Sequence, residues 1–121
     1  HLSIRRQRQM VIRDSTLLVP KVHIPDIFAY DTELAAAVFE RLPKIARAIK
    51  ASDPAIKGMN ILNNNGKVAY QSVFHSHIHL IPRYSDQDDF GMHFGDHSAQ
   101  YDTEKLEAVA DKIRTQLEAQ A

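Results

Sequence analysis

Cysteine and tryptophan are both absent from this chain of 121 residues. Without cysteine there is no disulfide and no thiolate metal ligand. No charge of one sign prevails either. Fifteen Lys and Arg balance fifteen Asp and Glu, for a formal net charge of +0 and a pI near 7.2. That balance disfavours a global electrostatic grip on nucleic acid or on an anionic membrane. No apolar run approaches the roughly 20 residues that span a bilayer. No segment has the apolar core of a signal peptide, so the expected location is cytoplasmic. Only 4 glycines and 5 prolines occur, which excludes fibrous and low-complexity classes. What is present is a 44% hydrophobic share beside 25% charged residues, enough for one domain with a real core. Seven histidines are the unusual count, and three of them lie together.

The sequence divides into an atypical leader, residues 1–14, and one domain over 15–121. Arg5, Arg6, Arg8 and Arg13 against Asp14 make the leader basic, and it is expected to be an edge strand or a loosely held tail. Thr16-Leu17-Leu18-Val19, closed by Pro20, reads as a buried strand. Asp31 is placed to cap a helix whose stripe is Leu34, Val38, Leu42, Ile45 and Ile49. Pro43 inside that stripe is expected to kink or split it near Arg41. Gly58 to Asn63 reads as a strand and Ser72 to Ile81 as the next, ended by Pro82. The two would pair antiparallel through the turn signal Asn63-Asn64-Asn65-Gly66. Residues 85–104 read as acidic loop. Thr103 would cap a final helix with the apolar face Leu106, Val109, Ala110, Ile113 and Leu117. The expected fold class is α+β: an antiparallel sheet with a long central helix and a C-terminal helix packed on it.

The informative segment is Phe74-His75-Ser76-His77-Ile78-His79-Leu80-Ile81-Pro82-Arg83. Strand side chains alternate, so His75, His77 and His79 would share one face over about 13 Å, with Phe74, Ile78 and Leu80 turned toward a helix. Three imidazoles in a row bring little packing stability, so a chemical use explains them better than a half-exposed surface does. Metal ligation is the competing use, because two histidines at i and i+2 can hold one zinc. It would need further ligands from His23, His93, His97 or the acidic loop.

The segment resembles the signature of the histidine-triad (HIT) superfamily of nucleotide hydrolases and transferases. Asn64-Asn65-Gly66, Ala69 and Gln71 precede the triad at the family spacing, and Pro82-Arg83 follows it. Upstream, Thr16-Leu17-Leu18-Val19-Pro20-Lys21 and His23 resemble the strand leading into the family's long helix. The likeness covers roughly residues 15 to 84 well and the C-terminal helix loosely.

The resemblance implies hydrolysis or transfer of nucleotide phosphoramidates or dinucleoside polyphosphates through a nucleotidyl-histidine intermediate. His77 would be the nucleophile, His79 would help protonate the leaving group, and His75 would orient His77. Asn64, Gln71 and Ser72 would contact the substrate. It further implies a homodimer and no required cofactor. In bacterial relatives, two cysteines and two histidines, here His23 and His75, bind zinc. Without cysteine that four-ligand site cannot form, and only His23 and His75 are left to touch a metal.

The departures are Ser76 at a usually apolar position, Tyr70 in place of a glycine, and Ser15 in place of a supporting histidine. Residues 1–14 also do not resemble the family's N-terminal part; that and Ser15 keep a second reading open, and the three histidines as a ligand set keep a third. The second is a nucleotide- or partner-binding module with little turnover; the third is a metal-dependent hydrolase with the triad as ligands.

Overall fold

The structure, a computed structural model, describes residues 2–6 and 14–120. The fold is α+β. Four antiparallel strands form one sheet: β1 (Leu2–Arg6), β2 (Thr16–Pro20), β3 (Gly58–Leu62) and β4 (Ile78–Arg83), in the order β1-β2-β4-β3. β1 is an edge strand, paired from Leu2 opposite Pro20 to Arg6 opposite Thr16. The rest of the basic leader, 7–13, lies outside the described residues.

The long helix α1 (Thr32–Ser52) starts where its cap requires. The Asp31 carboxylate accepts the Leu34 N–H at 2.8 Å, occupying one of the orphan donors at the helix start. Pro43 lies inside α1 and does not split it. Its ring costs one hydrogen bond on the exposed side, while Val38 and Leu42 are buried. These two pack with Leu18, Ile78 and Leu80 as the core, flanked by Leu34, Ile45, Ile49 and Met59. Burial of this stripe holds the helix together through the proline.

Two strand expectations are corrected. β4 begins at Ile78, so His75 and His77 precede the strand and only His79 is in it. Nor does Pro82 end it. Pro82 lies inside β4, opposite Met59, and β4 runs to Arg83. It is tolerated because β2 pairs with β4 only as far as Leu80, so beyond that point β4 has, among the described residues, a paired strand on one side alone. Phe74, expected under a helix, is 51% exposed.

β3 and β4 do pair antiparallel, but through residues 63–77 rather than a tight turn. Within that connection Lys67–Ala69 make a 3-10 turn, Gly66 has φ 96 and Tyr70 φ 69.

The chain forms two compact units, 1–91 and 92–121. The second contains α2 (Thr103–Gln120). Its cap is Asp102 rather than Thr103, with the Asp102 carboxylate accepting the Lys105 N–H at 2.8 Å. The helix forms where expected, but its apolar side chains Leu106, Val109, Ile113 and Leu117 are exposed in the single chain. Among the described residues no helix is long and apolar enough to cross a membrane.

Candidate active site

The histidine segment is held by backbone contacts instead of a strand ladder. Ser76 anchors it. Its N–H donates to the Ile24 carbonyl at 2.7 Å, and its buried hydroxyl lies 2.8 Å from the Tyr30 hydroxyl. This bond explains how a serine occupies a buried position where an apolar residue was expected. Asn63 adds a second anchor, donating from Nδ2 to the His77 carbonyl at 2.9 Å.

Two ring hydrogen bonds then settle which nitrogens carry protons. Nδ1 of His77 lies 2.8 Å from the His75 carbonyl, and Nε2 of His75 lies 2.8 Å from the Pro20 carbonyl. A carbonyl oxygen only accepts, so each of these nitrogens is the donor. Neutral His77 therefore has its lone pair on Nε2, and neutral His75 has its own on Nδ1. His77 and His75 are half-buried, whereas His79 is buried.

The rings of His77 and His79 are in edge contact at 4.9 Å between centroids, and His23 and His75 at 5.3 Å. Burial, together with the neighbouring His77, holds the His79 pKa below its ordinary value, so His79 is neutral near pH 7. The chemistry available is that of a bare imidazole nitrogen beside a second neutral imidazole: a nucleophile and a proton carrier.

The expected substrate contacts fare differently from one another. Gln71 is buried, and its amide is committed to the chain. Its Oε1 accepts the Gly66 N–H at 2.8 Å, and its Nε2 donates to the carbonyls of Pro25 at 2.6 Å and Val73 at 3.1 Å. It braces the loop that delivers the histidines. Half-buried Asn64 and exposed Ser72 make no side-chain hydrogen bond among the described residues, which leaves both polar groups available.

The sequence singled out Asn64, yet Asn63 holds His77 and Asn65 accepts the Ile27 N–H at 2.8 Å. Three consecutive asparagines offer no local signal for which one turns inward. Tyr30 carried no signal either, since its partner Ser76 is 46 residues away.

Among the described residues, no three His, Asp or Glu side chains group to hold an ion. His75 has also committed one nitrogen to Pro20.

Comparison with known proteins gives the family. A family model for the HIT domain matches residues 2–86, and so begins within the leader set apart above. "Protein hit" of Bacillus subtilis is 44% identical over 107 residues, covering 88% of this chain and 73% of that protein. The adenosine 5'-monophosphoramidase HNT1 of Candida albicans is 30% identical over 115 residues, covering 90% and 72%. The crystal structure of a HIT-family protein from Bacillus subtilis superposes with a TM-score of 0.88 at 40% identity, covering 95% of this chain and 81% of that one. With the triad, its flanks and the sheet in agreement, this chain belongs to the HIT-domain family.

Proposed function

We propose that this chain is a hydrolase of nucleotide phosphoramidates or dinucleoside polyphosphates. The observation that carries the reading is the Nδ1–H bond from His77 to the His75 carbonyl, which leaves Nε2 as a free base. Nε2 attacks the α-phosphorus of the nucleotide, forming a P–N bond. The bond from phosphorus to the leaving amine or phosphate breaks, neutral His79 assists by hydrogen-bonding the departing atom through Nε2–H, and the proton that the leaving group takes up is drawn from solvent. Water then cleaves the nucleotidyl–His77 bond and returns His77 to its neutral form. Asn64 and Ser72 are the candidate donors to the phosphoryl oxygens, whose developing charge needs hydrogen bonds already in place. The name of the Candida relative, an adenosine 5'-monophosphoramidase, supports the phosphoramidate as substrate.

The reading requires no metal and includes a homodimer in the cytoplasm. The uncovered apolar stripe of α2 supports a second copy, which sedimentation tests. The deciding experiment is hydrolysis of a fluorogenic adenosine phosphoramidate in the presence of EDTA, with His77→Ala as control. Turnover abolished in His77→Ala, together with a nucleotide trapped on His77, supports the reading. Binding without turnover assigns a binding module instead, and activity lost to EDTA assigns a metal-dependent hydrolase.

A further inference from the structure

Two buried polar atoms have no hydrogen-bond partner among the described residues: Ser15 Oγ and His79 Nδ1. Ser15 is 0% exposed and His79 4%. Water does not resolve either one. Each atom exposes less than 1 Å², so no solvent-sized space touches it. A buried hydroxyl or ring nitrogen left in this state loses free energy on the scale of a broken hydrogen bond. Such pairs persist where the groups answer each other or serve the chemistry.

The sheet register brings the two residues to neighbouring positions. β2 and β4 pair with Leu17 opposite His79 and Thr16 opposite Leu80. Side chains alternate along a strand, so Ser15, one step before Thr16, continues the face of Leu17 and His79. It is on the diagonal from His79, where Cβ atoms lie about 7–8 Å apart or somewhat less. Both side chains are buried, and each keeps one polar atom sealed and unpartnered, which a bond between the two would satisfy.

The other ring nitrogen, Nε2, is not among the sealed atoms, so the ring has one closed end and one open end. In a neutral imidazole only one nitrogen carries hydrogen, and what the closed end accepts or donates decides what the open end offers.

We propose that Ser15 is a positioning residue: its hydroxyl donates a hydrogen bond to Nδ1 of His79 and so keeps the proton of that ring on Nε2. The use of that proton rests on the hydrolase reading above; the bond itself does not. A hydrogen bond to the leaving group requires the open nitrogen to bear hydrogen, and the Ser15 donor secures this without contacting substrate. A serine thus sets the ring tautomer at a position where the resemblance leads one to expect a histidine.

The test is nitrogen NMR of the full chain labelled with ¹⁵N-histidine, at neutral pH and without substrate. The expected spectrum has His79 Nδ1 unprotonated and Nε2 protonated. Ser15→Ala should shift His79 toward a mixture of tautomers, and Ser15→Thr should restore the original one. An Nδ1-protonated ring in the unsubstituted chain, or an unchanged tautomer in Ser15→Ala, overturns the proposal. If Ser15→Ala does not fold, a high-resolution crystal structure of the unsubstituted chain decides. An Oγ to Nδ1 distance within about 3.2 Å supports the bond, and one beyond about 4 Å overturns it. Because no turnover is measured, an inactive chain with the expected tautomer would sink the hydrolase reading alone. An active chain with hydrogen on Nδ1 would sink this proposal alone.

Discussion

The ring centroids of His77 and His79 lie 4.9 Å apart at an interplanar angle of 72°, an edge contact between the imidazole with the bare Nε2 and a neutral neighbour. If His79 handles the leaving group, its removal should hurt substrates in proportion to the basicity of what leaves. His79→Asn should lower kcat/KM by about 10²–10⁴-fold for an amine leaving group, the usual scale of acid–base assistance. The loss should shrink for a nitrophenol-type leaving group, which needs no proton. Equal losses for both would remove His79 from the leaving-group role.

The same burial makes stability depend on pH. The His79 pKa lies below 6.5 in the folded chain and near 6.5 in the unfolded chain. Between those values the unfolded chain binds a proton that the folded chain refuses, so stability rises with pH through the window. It is complete above about 6.5 and falls as the solution is acidified below it. Urea midpoints between pH 5 and 8 should show this slope, and His79→Gln should flatten it.

Tyr70 pays for its backbone. It sits at φ 69 with its side chain 88% exposed, so the ring returns little packing for a left-handed conformation. Glycine adopts that region without strain. Tyr70→Gly should therefore raise stability by about 0.5–1 kcal/mol, after the added freedom of the unfolded chain is counted. A lower melting temperature for the variant would show that Tyr70 makes a contact of value.

Ser76 and Tyr30 should be coupled. Removing either hydroxyl of their 2.8 Å bond leaves the other without its partner. Ser76→Ala and Tyr30→Phe should each cost about 1 kcal/mol, and the double variant should cost less than their sum. Strict additivity in a denaturation cycle would mean that the bond contributes nothing.

Gln71→Ala should act on the loop before it acts on substrate. It orphans the Gly66 N–H and the Pro25 carbonyl, each an expected loss of about 1–3 kcal/mol. Hydrogen exchange should rise first at Gly66, with kcat and KM deteriorating together as the histidines lose their support. A rise in KM alone, at unchanged stability, would instead make Gln71 a substrate ligand.

Much of the architecture was legible because its signals are local. Asp31 capped the helix it was expected to cap, since the donor it satisfies is three residues away. The Leu34 to Ile49 stripe marked the side of α1 that meets Leu18, Ile78 and Leu80. The failures were non-local. The alternation of His75, His77 and His79 imitates a strand, yet the Val73 carbonyl, the Ser76 N–H and the His77 carbonyl are bonded by Gln71, Ile24 and Asn63, so no ladder forms there. Pro82 was read as a stop because its lack of an N–H matters in a central strand, and only the pairing pattern reveals that, among the described residues, β4 is paired on one side alone at that point.

The sequence by itself determined which groups are available: three imidazoles, amide and hydroxyl donors nearby, no thiolate, and a helix stripe to cover one side of a sheet. Identity and short-range spacing suffice for that, because caps, turns and amphipathic periods are decided within a few residues. Tertiary structure alone decided which nitrogen of His77 is bare, that His79 is sealed on one side, and that Gln71 braces a loop. The first depends on a loop, held by Ile24 and Asn63, that aims the His75 carbonyl at the ring two residues on, and the others depend on burial and on the Pro25 carbonyl from another segment, which a linear reading does not record.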